Sequence, residues 1–295
     1  MKRKIKEKAI KGVFFSIAFF SVLVIFLIFI FLFYKSAPAI YESLFGDINL
    51  LSSKWNVNKE QFGLWAAVYG SIFIALGALL ISFPLGLGAS VYMSELAPEK
   101  LRTMLKPVIE LLAGIPSIVY GFIGAVVLGK FIYINYGTLA PNSILGGMLI
   151  LGIMALPIIV SMSDDALKSV PKDMKDASLA LGATKWQTTK KVTIPSAISG
   201  ITSATIMGMG RAIGETMAIL MVVGSVMRIP TPGFDVFETG NTLTALIASQ
   251  MGEAAGLHVS VLFTAAIMLF TIVTVMSIIS DYLQMRTKRK FEGKE

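Results

Sequence analysis

Arg211 and Glu215 are the only charged residues in the stretch 197–227, which is otherwise apolar enough to lie in a membrane. A charged side chain at that depth costs about 2.5–3.5 kcal/mol on insertion scales, so it is retained for a reason. Four residues apart on a helix, the two share a face and come within reach of a salt bridge. Gly210 and Gly214 flank them in a G-x-x-x-G pattern that permits close helix approach. An intramembrane arginine facing a pathway can hold a passing anion by a bidentate, charge-assisted contact. Glu215 would then keep Arg211 in place and stop anions from binding too tightly to leave. The same pair could instead be a structural lock between this helix and its neighbours.

Little other chemistry is available. There are no cysteines and one histidine, His258, so disulfides, thiolate sites and a histidine metal centre are all excluded. No G-x-x-x-x-G-K-[ST] segment occurs, so no phosphate-cradling loop for a nucleotide is present. No residue is assigned a catalytic role, and the chain is expected to bind neither metal nor cofactor. Glu110 follows Lys106-Pro107 at the start of an apolar stretch, where a carboxylate suits a helix N-terminus and could act in a pathway or gate. Asp164 and Asp165 are placed to cap a span or pair with nearby lysines. Asp235, Glu238 and Glu253 fall outside the spans, and His258 reads as an interfacial residue.

The elements that must position these groups are membrane helices. Hydrophobic residues make up 55% of the 295 positions and charged ones only 15%, against about 25% in soluble domains. Apolar runs near 13–34, 65–93, 108–129, 143–162, 197–227 and 256–280 each approach the roughly 20 residues that cross a bilayer. The fold class expected is therefore all-α and integral to the membrane, with about six transmembrane helices. Its basic residues fall into two sets: 20 at the N-terminus, in 95–106, in 164–191 and in the tail, against Lys35, Lys54, Lys59, Lys130 and Arg228 in the alternate segments. By the positive-inside rule both termini face the cytoplasm. The layout expected is a basic N-terminus at 1–12, a first helix at 13–34, an extracytoplasmic connection at 35–64, a transmembrane domain at 65–282 and a basic tail at 283–295. The +8 net charge is split among short segments beside membrane spans, which suits lipid contact and not nucleic-acid binding.

The loop 164–195 carries the most specific pattern. Ser169 and Pro171 suit a helix start, Gly182 suits a left-handed helix end, and Thr184 suits the cap of a second helix from Lys185. Two short helices jointed at a glycine would project from the membrane as a knob. Asp176-Ala177-Ser178, three residues, Gly182, nine residues and Val192-Thr193-Ile194-Pro195 resemble the EAA motif of ABC-transporter permeases, with Asp for Glu and Ser for Ala. The segments Phe62-Gly63-Leu64-Trp65, Ser94-Glu95-Leu96-Ala97-Pro98, the 111–121 run and Gly210-Arg211-Ala212-Ile213-Gly214-Glu215-Thr216-Met217 are similar to phosphate-importer permeases of the PstC type.

That resemblance implies a type I ABC importer permease fold in a bacterial or archaeal inner membrane. It implies that Asp176, Ala177, Ser178 and Gly182 couple to an ATPase, and that Arg211 and Glu215 lie on the translocation pathway. It also implies partners: a homologous second permease, two ATPase subunits that bind ATP and Mg, and an extracytoplasmic phosphate-binding protein. The residues alone leave room for another oxyanion or small solute, or for an ATP-independent secondary transporter.

Overall fold

The computed structural model describes residues 2–291, with side chains from Ile10 to Tyr282 and at Met285. The basic ends expected at 1–12 and 283–295 lie largely outside the described side chains. Helix α1 (Lys2–Phe45) leads through a short hairpin, β1 (Trp55–Asn56) and β2 (Gln61–Phe62), to α2 (Trp65–Val91). There follow α3 (Glu99–Gly114), α4 (Ser117–Ile123), α5 (Lys130–Tyr136) and α6 (Ile144–Lys168). The cytoplasm-coded loop holds α7 (Lys172–Ala180), α8 (Lys185–Thr188) and α9 (Ile194–Ser196); then come α10 (Ile198–Gly214), α11 (Met217–Val222), α12 (Leu243–Gln250) and α13 (Leu257–Phe291). Among the described residues five helical stretches are long and apolar enough to cross a membrane, or six where the pair Lys185–Ser196 and Ile198–Gly214, bent by 68°, counts as one span.

The core is built where small residues let backbones approach. Helices α2 and α6 run side by side in the same direction, with Gly77 against Met148 and Gly86 against Ile159. Helix α10 crosses the same α6 in the opposite direction, with Gly208 on Ile159 and Gly200 on Ala166. Ile74, Ala78, Met148, Leu151, Ile219 and Val222 fill the space these helices enclose. From Gly12 to Tyr34 helix α1 carries no charge, and the most apolar part of it buries nothing within the chain, as a lipid-facing helix must. It touches α13 through Phe29–Phe270 and Phe31–Phe263 ring contacts at 5.4 and 5.6 Å.

Three boundaries differ from the sequence expectation. The first helix does not end at 34 but continues to Phe45, and its Ala39 joins a second cluster with Leu50, Phe62, Leu64, Leu243 and Val261. The third crossing is Ser117–Tyr136 instead of 108–129, because Ile115 takes an extended conformation ahead of Pro116. The preceding α3 is a separate helix with no buried residue. The fifth crossing stops at Gly214, well short of 227.

Candidate functional site

The end of α10 sets the geometry of the intramembrane pair. Arg211 sits in its last turn, where the negative end of the helix dipole favours a cation. Glu215 then leaves the helix with φ −72° and ψ 130°, and Thr216 stands at the N-cap of α11. The break turns Glu215 out of the register that would stack it on Arg211, and among the described residues no ion pair joins them. The salt bridge expected from the four-residue spacing is thus replaced by a discontinuous helix. Glu215 Oε1 instead accepts the N–H of Ala218 at 3.4 Å, at the start of α11.

Arg211 is left with its charge unspent. Its Nε is buried and has no hydrogen-bond partner. The Arg211 side chain is half-buried. Tyr120 donates to the carbonyl of Leu112 at 2.9 Å, tying α4 to α3 across the Ile115-Pro116 break. Beside it Gly121 lies against Ala218, so close that a Cβ would fall 2.8 Å from the Ala218 Cα. Gly210 and Gly214 fit the spacing for close helix packing, but a Cβ on either would meet nothing within 4 Å among the described residues. They form, with Met207 and Met217, an open face beside Arg211. A cation with no ion pair among the described residues, next to an open face, is what transient anion contact requires.

The end of the bundle away from the 164–195 loop is held by a second set of contacts. Asn241 packs on Gly70 of α2, and Ser71 Oγ accepts the N–H of Leu243 at 2.9 Å. Thr242 caps α12 by accepting the N–H of Ala245. Thr244 Oγ1 donates to the carbonyl of Glu215 at 2.9 Å. Asp235 and Glu238 line a cavity of about 570 Å³ at this end, where Arg228 pairs with Glu238 at 2.6 Å. His258 is buried against Trp55 and Phe62, with ring centroids 5.6 and 5.3 Å away, and not at an open interface.

At the other end, the projecting knob forms largely as its residues dictate. Gly182 adopts φ +85° and ends the turn after α7. Thr184 caps α8 in a reciprocal capping box with Gln187. Ser169, however, closes α6 and donates to the Ala166 carbonyl, and α7 starts at Lys172 behind Pro171, with no side-chain cap. Asp176, Ala177 and Gly182 are exposed, while Ser178 Oγ meets Thr188 Oγ1 at 3.0 Å and braces α7 on α8. Leu181 and Trp186 stand out at 90% and 56% exposure, an apolar tip with no cover in this chain. Asp164 pairs with Lys168 and Asp165 with Lys106, as the lysine-pairing expectation held.

Glu110 is not at a helix start. It lies exposed in the body of α3, whose first turn carries Glu99 instead. Two participants were not singled out from sequence: Thr244, and the Glu95–Lys175 ion pair at 2.7 Å. An Asn-Thr pair ahead of an apolar run is a cap signal that could have pointed to the Thr242–Thr244 segment. Nothing local links residues 80 apart.

Comparison with known proteins places this geometry. Residues 82–289 match the family of binding-protein-dependent transport system inner membrane components. The probable ABC transporter permease protein YqgH of Bacillus subtilis is 38% identical, over 81% of this chain and 78% of its own. The phosphate transport system permease protein PstC of Mesorhizobium japonicum is 36% identical, over 83% and 80%. The fold superimposes on the MetNI methionine ABC transporter in its inward-facing conformations with a TM-score of 0.60 at 20% identity, covering 76% of this chain and 97% of that one. The architecture is that of a type I ABC importer permease, and the chain belongs to the family of binding-protein-dependent transport system inner membrane components.

Proposed function

We propose that this chain is one of two permease subunits of an ATP-driven inorganic phosphate importer and forms half of an alternating-access pathway. The observation that carries the solute assignment is Arg211: a membrane-embedded guanidinium whose buried Nε has no partner among the described residues, beside an open face. The PstC relatives support phosphate in particular. Phosphate at neutral pH offers paired oxygens to the planar guanidinium fork. The low dielectric around Arg211 strengthens that contact, and a nearby carboxylate at Glu215 keeps it from becoming a trap.

A binding protein delivers the anion from outside to a cavity enclosed by this subunit and a homologous one. Two ATPase subunits carry ATP and Mg and do the hydrolysis. Asp176, Ala177, Ser178 and Gly182 dock the knob on the ATPase, and its exposed apolar tip supports that role. The distribution of basic residues supports cytoplasmic termini and a cytoplasmic knob.

The test is radiolabelled phosphate uptake at low external phosphate, in cells lacking their own importer and carrying the complete system. Uptake that requires ATP and falls at least tenfold in Arg211→Gln, at matched membrane levels, is expected. No uptake by the intact assembly would remove phosphate as the solute. Full uptake by the variant would remove Arg211 from the path.

A further inference from the structure

We propose that Thr244 is a positioning residue that decides whether Glu215 is free to neutralise Arg211. This rests on the reading of Arg211 as a solute contact. Glu215 carries one carboxylate with two mutually exclusive uses. In a continuous helix it would stack on Arg211 one turn back. At the observed break it turns to the N–H of Ala218.

Nothing in the local sequence enforces the break. The residues Glu215-Thr216-Met217-Ala218 contain no proline, and only Gly214 weakens the helix. The constraint comes from outside, from 29 residues further along the chain, where Thr244 reaches the Glu215 carbonyl. Its single hydroxyl proton goes to that carbonyl, so in the 3.0 Å contact with Thr242 it must be the acceptor. Thr242 in turn accepts from Ala245 N–H. The hydrogen bonds therefore run one way, from the first turn of α12 through both threonines to the end of α10. Thr242 and Thr244 are both buried, which makes each unmet bond costly.

The segment that holds Thr244 is itself bonded to α2 through Ser71 and pressed on Gly70. Movement of the outer segment relative to α2 therefore reaches the break directly. With the Thr244 bond made, Arg211 is bare and ready for an anion. With it lost, the helix can close and Glu215 occupies the guanidinium in the anion's place. The outer face thus controls whether the site is available.

The test uses the complete system in proteoliposomes, with saturating phosphate-loaded binding protein, and measures the maximal uptake rate. Thr244→Val, which keeps shape and loses the hydroxyl, is expected to be about tenfold slower. Thr244→Ser is expected to stay within twofold of the parent. In a Glu215→Gln background, where no carboxylate competes, Thr244→Val is expected to change the rate by less than twofold. An equal loss in both backgrounds, or no loss in either, overturns the proposal.

A second measurement needs no transport. The chain lacks cysteines, so spin labels at Met207→Cys on α10 and Ala248→Cys on α12 report the separation of the two helices. The distribution should shift or broaden with Thr244→Val and overlay the parent with Thr244→Ser. An unchanged distribution with valine overturns the proposal. Failure of the parent to import phosphate would instead overturn the solute assignment, leaving Thr244 to be judged by the label distances.

Discussion

Lys175 on α7 reaches the carboxylate of Glu95 at 2.7 Å, joining the projecting knob to the C-terminal end of the second membrane helix. Both side chains are mostly buried, at 20% and 15% exposure, and Lys175 also lies 3.4 Å from the Leu167 carbonyl. Glu95 is in turn held within a π-helical turn, Tyr92–Leu96, whose carbonyls at Met93 and Ser94 accept from Arg102 of α3. One ion pair therefore ties the knob to two membrane-associated helices. A push on the knob has a rigid route to the bundle.

Breaking that pair should uncouple before it unfolds. Lys175→Met is expected to destabilise by about 2 kcal/mol, between the value of an exposed pair and that of a fully buried one. It should also raise the ATP hydrolysed per solute imported several-fold. The exchange Glu95→Lys with Lys175→Glu should recover most of the coupling ratio. Recovery of neither stability nor ratio would remove the pair from the transmission route.

Gly70 tests how tightly the outer segment is seated. A Cβ there would lie 1.9 Å from the Asn241 carbonyl oxygen, a backbone atom that cannot rotate away. Gly70→Ala should cost about 2 kcal/mol or more and lower the unfolding temperature of the purified subunit in detergent. Gly88→Ala, with nothing within 4 Å of its added methyl, is the control and should be neutral.

Gly182→Ala separates backbone strain from contact. Its φ of +85° costs an alanine roughly 1–2 kcal/mol, while the added methyl would meet nothing in this chain. Membrane levels should match the parent, and solute-stimulated ATPase activity should fall several-fold as the angle between α7 and α8 changes. Unaltered stimulation would mean that the joint tolerates another conformation.

Orientation can be read chemically. Lys59→Cys in the hairpin and Lys172→Cys at the start of α7 are both exposed positions. A membrane-impermeant maleimide added to intact cells should label the first and reach the second only after permeabilisation. The reverse pattern would invert the topology.

Much of this architecture was readable because it follows from composition over long windows. Twenty-residue apolar runs and the asymmetry of lysine and arginine need no tertiary information, and neither does Gly182 followed by a Thr184-x-x-Gln187 cap. The ends of helices were harder where proline or tertiary bonding intervenes. Pro116 displaced the third crossing to Ser117–Tyr136 and left Glu110 in a separate helix, although an X-Pro step was there to be noticed. The break at Glu215 had no such mark, because a threonine 29 residues away supplies the constraint. For the same reason spacing alone suggested an Arg211–Glu215 bridge that the folded chain does not make. Lys175 and Glu95 belong to this class too: their partnership is a product of packing.

Trp186 stands 56% exposed at the tip of the knob, and the chain has only two other tryptophans, Trp55 and Trp65. Replacing those two with phenylalanine would leave a single indole emitter at the surface proposed to meet the ATPase. Its emission should move to shorter wavelength as water is displaced on docking. The permease would then report engagement of its motor by its own light, in real time and without an attached dye.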